Sequence, residues 1–266
     1  MRLQVGDREI GYDDRGRGAP VVLLHPFPFT RAVWDELATA MEGRFRVLSV
    51  DARGFGESAL RARGGSSAPY AISDLADDLA ALLDALALPR AAVLGMSMGG
   101  YTALAFAAGH GARLTALVLA DTRAAADSPD ARAGREVALA TIHGRGADAY
   151  LDSSLARLVS PGATPATHSR VRARAAGQAD SLVAAVEALR DRPDRTAELG
   201  AIACPTLVVC GAGDQVIPAA EMRRMSDAIP GARYVELAGA GHLSHLEAPE
   251  AFTTAVSSFL GDTLAS

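Results

Sequence analysis

The chain of 266 residues contains neither lysine nor asparagine. Without lysine it cannot form a Schiff base with a carbonyl substrate or with pyridoxal phosphate. It also lacks the phosphate-binding lysine of P-loop proteins and of kinases. Without asparagine it has no N-glycosylation site. These absences exclude several classes of enzyme before any motif is considered.

Cysteine and long apolar runs are also scarce. The two cysteines, Cys204 and Cys210, fall in one predicted strand. Their Cα atoms are therefore expected roughly 20 Å apart, whereas a disulfide requires about 7 Å or less. The N-terminus lacks the apolar stretch of a signal peptide, and no apolar run reaches the roughly 18 residues of a transmembrane helix. We expect reduced thiols, a cytoplasmic location and no membrane partner.

The overall composition is that of a globular protein. Hydrophobic residues make up 49% of the chain and charged residues 21%, which excludes disorder as a global description. The net charge is −5, from 26 Lys+Arg, all of them arginine, and 31 Asp+Glu. Because a mildly acidic chain has no sign of a nucleic-acid-binding surface, we expect no nucleic-acid partner.

Strand and helix patterns alternate along most of the chain. A hairpin with its turn at Gly6-Asp7 comes first, and Thr30 and Ser73 are predicted to cap two helices. The later strands are predicted at 21–24, 45–50, 91–94, 114–120, 206–210 and 233–237, and the helices at 30–41, 73–88, 98–108, 218–229 and 249–260. This alternation predicts an α/β fold whose parallel sheet is covered on both faces, with a ligand site beyond the carboxyl ends of the strands.

One segment departs from this alternation. Between Asp121 and Cys204 the sequence shows no convincing strand. A helical run inside an α/β chain indicates an inserted subdomain. We therefore predict a core of residues 1–121 and 204–266, interrupted by a helical cap of residues 122–203. The cap helices are predicted at 131–143, 147–159, 165–178 and 181–190, and residues 61–67 are predicted to form a mobile loop.

The motif that points most directly to a chemistry is Gly95-Met96-Ser97-Met98-Gly99-Gly100, between a predicted buried strand and a predicted helix. A serine on so tight a turn projects its hydroxyl away from the backbone, and the flanking glycines remove side chains that would clash. The helix N-terminus offers N–H groups to a developing oxyanion. The motif predicts Ser97 as a nucleophile; the alternative is an ordinary turn that contains a serine by chance.

A serine nucleophile needs a base that is held by an acid. Asp214 follows the predicted strand 206–210, and His242 follows the predicted strand 233–237. Because the carboxyl ends of parallel strands share one edge of a sheet, we expect Ser97, Asp214 and His242 to meet there.

Together these motifs resemble those of the α/β-hydrolase-fold enzymes over essentially the whole chain. The matching pieces are His25-Pro26-Phe27, Asp51-Ala52-Arg53-Gly54-Phe55-Gly56-Glu57-Ser58, the turn around Ser97, Gly211 to Asp214, and Gly239 to His242. The resemblance implies a mostly parallel, eight-stranded sheet with helices on both faces and a substrate cap after the sixth strand. It also implies that Ser97, Asp214 and His242 are the catalytic residues, in that chain order.

By the same resemblance, the backbone N–H groups of Phe27 and Met98 form an oxyanion hole. Pro26 stands where relatives usually have glycine, but Pro26 is not the expected donor, so its missing N–H leaves the hole intact. Pro28 follows Phe27, which resembles the branch of esterases and cofactor-free perhydrolases.

Several polar residues near these motifs allow other interpretations. Asp121 is an alternative triad acid, because some relatives place the acid at the end of the sixth strand, although a loop or cap-hinge role is preferred. His245 is interpreted as a structural surface histidine, and His25 as a residue that bonds loop backbone. Asp51 and Arg53 are expected to stabilise a loop.

The remaining candidates concern the pocket and metals. We expect apolar residues near the site to line a substrate pocket, with Phe27, Phe29 and Met96 as the candidates. Trp34 is assigned to the core instead. His143 and His168 lie on predicted cap helices and are not favoured as substrate ligands.

Because no spacing resembles a metal motif such as His-Glu-x-x-His, we expect neither a metal nor a cofactor.

These features predict a serine hydrolase that cleaves small or medium carboxylic esters or lactones, with a small molecule as its partner. The fold hosts other reactions, so a perhydrolase, a carbon–carbon bond hydrolase or another cofactor-free enzyme of secondary metabolism stays open. A non-catalytic ligand receptor is the third possibility, disfavoured because a binding protein has no need of all three residues Ser97, Asp214 and His242.

Overall fold

The computed structural model describes residues 1–60 and 69–264, and eight strands in these residues form one sheet. The strands are β1 (Arg2–Val5), β2 (Arg8–Gly16), β3 (Pro20–Leu24), β4 (Arg46–Val50), β5 (Ala91–Met96), β6 (Leu114–Ala120), β7 (Thr206–Gly211) and β8 (Arg233–Leu237). Their order in the sheet is β1-β2-β4-β3-β5-β6-β7-β8. The pairs β1–β2 and β2–β4 are antiparallel, and all other neighbours are parallel.

The composition of the strands explains this arrangement. All residues of β5 and β7 are buried, as expected of central parallel strands that helices cover on both faces. The outer strand β1 instead alternates exposed and half-buried residues, which is typical of an edge. Because β3, β5, β6, β7 and β8 run parallel, the loops at their carboxyl ends gather along one edge of the sheet.

The helices pack around this sheet. They are α1 (Asp35–Met41), α2 (Ile72–Ala85), α3 (Met98–His110), α4 (Pro129–Ser154), α5 (Pro165–Arg174), α6 (Ala179–Arg190), α7 (Ala219–Asp227), α8 (Ser244–Glu247) and α9 (Pro249–Leu264). In the core, α2 packs against α3 and α1 against α9. This architecture confirms the predicted α/β fold with eight strands.

Several helix boundaries differ from the predictions; for example, α2 ends at Ala85 and α5 at Arg174. Ser73 is not the N-cap of α2, because Ala71 precedes the helix and its N–H donates to Asp74 Oδ2 at 2.8 Å. The predicted helix 30–41 begins with a 3₁₀ turn, and Thr30 makes no side-chain capping bond. Element α4 consists of two helices that meet at Gly146, whose φ of +84° is not helical, in agreement with a break between the first two predicted cap helices. The predicted mobile loop lies outside the described residues.

The segment between β6 and β7 is fully described and contains helices but no strand. It contacts two loops at the carboxyl edge of the sheet. The Ala176 N–H donates to Pro28 O at 2.9 Å, in the loop after β3, and the Leu243 N–H, in the loop after β8, donates to Leu158 O at 3.1 Å. We refer to residues 122–203 as the helical segment, and their division from the core as a separate subdomain stays a prediction.

A buried carboxylate joins distant parts of this segment to one another. Asp127, whose side chain is fully buried, accepts hydrogen bonds from Arg192 at 2.6 Å, Arg123 at 3.0 Å and Arg135 at 3.0 Å. The Arg192 guanidinium also lies over the Tyr101 ring of α3, 4.2 Å from its centroid. Burial raises the pKa of Asp127, but the charges of Arg135 and Arg192 outweigh it, so the net pKa lies below the ordinary 3.8.

None of the described helices combines the length and the apolarity that a membrane crossing requires.

We expect Asp127→Asn to lower the free energy of unfolding at pH 7 by about 3–5 kcal/mol, because buried guanidinium groups lose their counter-charge. Urea denaturation followed by circular dichroism measures the difference. A carboxyl with a lowered folded-state pKa stabilises the fold above its unfolded pKa. The difference should therefore shrink as the pH falls below about 4. Equal stability of the two proteins at pH 7 would contradict this role.

Candidate active site

Ser97 lies on a strained turn between β5 and α3. Its φ of +51° belongs to the left-handed region, which is uncommon for residues other than glycine. The turn has no room for side chains: a Cβ at Gly95 would collide with the Gly99 carbonyl, and a Cβ at Gly99 would collide with the Leu24 carbonyl. The predicted glycine–serine motif therefore forms the tight turn, and the Ser97 side chain is partly exposed.

The loop after β7 holds the Asp214 carboxylate in a fixed orientation. Its Oδ1 accepts hydrogen bonds from the backbone N–H groups of Val216 at 2.7 Å and Ile217 at 3.0 Å. These two bonds leave Oδ2 free to face the loop after β8. The Gly213 N–H also donates to Ala240 O at 2.8 Å, which ties the two loops together.

The loop after β8 places His242 between the other two residues. Its Nδ1 lies 2.7 Å from Asp214 Oδ2, and its Nε2 lies 2.9 Å from Ser97 Oγ. Because an ionised carboxylate only accepts, the proton of the neutral ring belongs on Nδ1, and Nε2 accepts from the serine hydroxyl. The structure thus brings together the three residues that the sequence selects, across 145 residues of chain.

The surroundings of His242 favour its protonated form. Complete burial lowers the pKa of the ring, but the charge of Asp214 and the hydrogen bond to it raise the pKa more, with further contributions from Asp121 and Glu247. The net pKa is therefore above the ordinary 6.5. A ring of this kind is a stronger base than a solvent-exposed histidine.

Met98 and Phe27, the predicted oxyanion-hole residues, lie directly after Ser97 and in the loop after β3, respectively. Met98 is the first residue of α3, so its N–H has no acceptor within the helix. Phe27 lies in the loop after β3, and none of the described loop or side-chain groups accepts its N–H. The Phe27 ring contacts Tyr150 of α4, with centroids 6.2 Å apart. The helical segment therefore contacts the loop that carries Phe27.

Asp121, the alternative acid, makes no hydrogen bond to His242. It is fully buried at the end of β6, where its Oδ1 accepts from the Gly211 N–H at 2.8 Å and its Oδ2 accepts from Ser244 Oγ at 2.5 Å. Burial raises the pKa of this carboxyl to about 8. The contact to the His242 ring belongs to Asp214.

Glu247 has a place in the site that the sequence did not indicate. One carboxylate oxygen accepts from the Gly241 N–H at 2.9 Å, and the other accepts from the Ser160 N–H at 2.7 Å. Glu247 thus connects the loop that carries His242 to the helical segment. The only signal in the sequence is its position five residues after His242, within the first short helix that follows.

The remaining histidines have other surroundings. His25 Nδ1 donates to Pro26 O at 2.9 Å and its Nε2 accepts from the Ala52 N–H at 2.9 Å, as expected of a residue that bonds loop backbone. His245 is not a surface residue, because it is only 6% exposed and packs against Trp34, with ring centroids 4.7 Å apart. Burial lowers the pKa of His245 to about 3. His143 and His168 are exposed on the helical segment.

The other named residues lie in the loops or in the core. Asp51 accepts from the Arg31 N–H at 2.7 Å, and Arg53 donates to Asp78, so both stabilise loops as expected. Trp34 is fully buried in the core, as predicted, and so are Phe29 and Met96. Phe27 is the most accessible of the three pocket candidates, and the assignment of Phe27, Phe29 and Met96 to a substrate pocket stays a prediction.

No cluster of three or more histidine, cysteine or carboxylate side chains suited to a metal ion occurs in residues 1–60 and 69–264. Cys204 and Cys210 are both free.

Comparison with known proteins identifies the family. The family model described as "alpha/beta hydrolase fold" matches residues 19–249. Among solved structures, the chain is similar to a thermophilic esterase from Thermogutta terrifontis, with 33% identity, a TM-score of 0.91 and 99% of each chain covered. It is also similar to the enol-lactonase from Burkholderia xenovorans LB400, with 30% identity, a TM-score of 0.88, and 98% of this chain and 99% of that chain covered.

A curated relative extends the range of named activities. The chain is 31% identical over 233 residues to the "Putative carbamate hydrolase RutD" of Caulobacter sp. (strain K31), with 85% of each chain covered. The family match spans most of the sequence, and the two similar solved structures cover nearly all of it. The chain is therefore an enzyme of the α/β-hydrolase-fold family.

Proposed function

We propose that this protein is a serine hydrolase that cleaves small or medium carboxylic esters or lactones through an acyl-enzyme. One observation carries the proposal: the His242 ring lies within hydrogen-bond distance of both Ser97 Oγ, at 2.9 Å, and Asp214 Oδ2, at 2.7 Å. A histidine that accepts a hydrogen bond from a serine and is held by a carboxylate activates the serine hydroxyl for attack on a carbonyl.

Each of the three residues has a distinct role. Ser97 Oγ attacks the carbonyl carbon of the substrate while His242 Nε2 accepts the serine proton. Asp214 holds the ring with Nδ1–H towards itself and stabilises the imidazolium that forms. His242 then delivers the proton to the leaving alcohol, which departs and leaves an ester on Ser97. Water attacks this acyl-enzyme with His242 again as the base, releasing the acid and restoring the serine.

The backbone N–H groups of Phe27 and Met98 stabilise the oxyanion in this proposal. Met98 contributes the free N–H at the start of α3, where the helix dipole also favours negative charge. The free N–H of Phe27 comes from the loop after β3. Donors fixed before the reaction are effective because they need no rearrangement as charge develops, and the loss of one typically costs about 100- to 1000-fold in kcat.

The substrate class is inferred from the relatives and from the helical segment. The similar solved structures are an esterase and an enol-lactonase, and the reaction of both types of substrate begins with attack on an acyl carbonyl. We propose that residues 122–203 act as a cap, because Tyr150 contacts Phe27 at the edge of the site. Carbamates contain the same acyl carbonyl, so a carbamate belongs among the test substrates.

We expect Ser97→Ala to lower kcat/KM for p-nitrophenyl acetate by more than about 1000-fold, because the nucleophile is removed. The same variant should lose activity towards any small lactone or aryl carbamate that the wild type cleaves. Initial rates with all three substrates measure this effect. The matched control is Ser258→Ala, which removes an exposed hydroxyl on α9 and should keep full activity. Ester hydrolysis at the wild-type rate by folded Ser97→Ala would contradict the proposal.

We also expect kcat/KM to fall on the acidic side with a midpoint above pH 6.5. His242 must be neutral to accept the serine proton, and its pKa is raised, so the inactive imidazolium persists above the ordinary midpoint. Asp214→Asn removes the main charge that raises this pKa and should move the midpoint to lower pH, with a loss of about 10⁴-fold in rate. Titration of the acid released from a small ester gives both profiles. A midpoint that does not move would argue against Asp214 as the partner of His242.

A further inference from the structure

The end of β6 joins the loops that carry the three proposed catalytic residues, although it contributes none of them. Asp121 is fully buried there and uses both carboxyl oxygens. Its Oδ1 accepts from the N–H of Gly211, at the start of the Asp214 loop, at 2.8 Å. Its Oδ2 accepts from Ser244 Oγ, two residues after His242, at 2.5 Å. One side chain thus spans the acid loop and the base loop.

The same strand end also holds the nucleophile. The Ser97 N–H donates to Ala120 O at 3.0 Å, and Thr122 Oγ1 donates to the Ser97 carbonyl at 2.9 Å. Asp121 lies between these two anchors, with a φ of +43°. A residue other than glycine in this left-handed region is held there by its surroundings. The position of the carboxyl is therefore fixed relative to Ser97.

We infer that Asp121 is a positioning residue for the proposed triad, which sets the Asp214 and His242 loops at the right distance from Ser97. The inference rests on the proposed function. It assigns Asp121 no contact with the substrate and no proton transfer in the reaction. Because a misplacement of about 1 Å can cost about 100-fold in rate, a side chain that fixes the spacing of three loops has a direct effect on kcat.

The position of the carboxyl argues against a role as a second acid. Asp214 already occupies the Nδ1 side of His242, at 2.7 Å, and the Asp121 oxygens are engaged by Gly211 and Ser244. The titratable groups that face Asp121 are Asp214, His242 and Cys210. Asparagine matches the shape of this side chain and keeps a carbonyl oxygen that can accept from the Gly211 N–H.

The test compares Asp121→Ala, Asp121→Asn and Ser244→Ala with the wild type. We expect Asp121→Ala to lower kcat by about 10- to 100-fold with KM nearly unchanged. Its acidic midpoint should also move to lower pH, because a looser contact with Asp214 raises the pKa of His242 less. Asp121→Asn keeps an acceptor for the Gly211 N–H and should restore most of kcat. Ser244→Ala keeps the bond from Gly211 and should show a smaller loss in the same direction.

The control is Asp14→Asn, which removes the partner of Arg46 between β2 and β4, two strands that β3 and β5 separate from β6 in the sheet. It should reduce stability while the kcat of the folded protein and its acidic midpoint stay at the wild-type values. If Asp121→Ala does the same, the positioning role is wrong. If Asp121→Ala does not fold, Asp121→Asn and Ser244→Ala decide: a tenfold loss in the asparagine variant, or no effect in the serine variant, would overturn the inference.

A measurement without substrate separates this inference from the proposed function. The ¹H resonance of the His242 ring proton, which is bonded to Asp214, is observable by NMR whether or not the protein turns over an ester. We expect the resonance to shift or broaden in Asp121→Ala and to persist in Asp14→Asn and in Ser97→Ala. An unchanged resonance in Asp121→Ala would overturn the inference, whereas an active Ser97→Ala would overturn the proposed function alone.

Discussion

The two hydrogen bonds of the His242 ring constrain the rest of the site. A neutral imidazole has one donor and one acceptor, so the bond to Asp214 at Nδ1 determines that Nε2 faces Ser97 as an acceptor. The ring is buried, so the carboxylate charge acts on it at low dielectric. Burial alone would lower the pKa of the ring, and Asp214 reverses that effect.

The sheet makes this contact possible. Residues 97, 214 and 242 are distant in the chain, but the parallel strands β5, β7 and β8 end at the same edge and direct their loops to one place. Each loop is then fixed by backbone groups as much as by side chains. The turn at Ser97 requires glycine at Gly95 and Gly99, and two N–H groups orient the Asp214 carboxylate. The chemistry therefore depends on the rigid elements beneath the loops.

How much of the structure the sequence can predict depends on how far apart in the chain the interacting residues lie. The strand alternation and the motif around Ser97 are local patterns, and the spacing of Asp214 and His242 after two predicted strands is sufficient to place them at one edge. The bonds from Ser244 to Asp121 and from Ser160 to Glu247 join residues 123 and 87 positions apart, and no local pattern marks them. Burial of His245 has in part the same origin, because Trp34 covers it from a distant element, together with Phe252 from the next helix. Ser73 is a suitable cap by residue type, but the helix begins earlier and Asp74 accepts from the Ala71 N–H instead.

The identity of the nucleophile is the claim on which the account depends, and covalent labelling tests it most directly. A fluorophosphonate reacts only with a serine that is activated by a base, and the adduct is located by mass spectrometry of the digested protein. The account predicts a single adduct on the peptide that contains Ser97, and none when His242 is replaced by alanine. An unlabelled wild-type protein, or an adduct on a different residue, would contradict it.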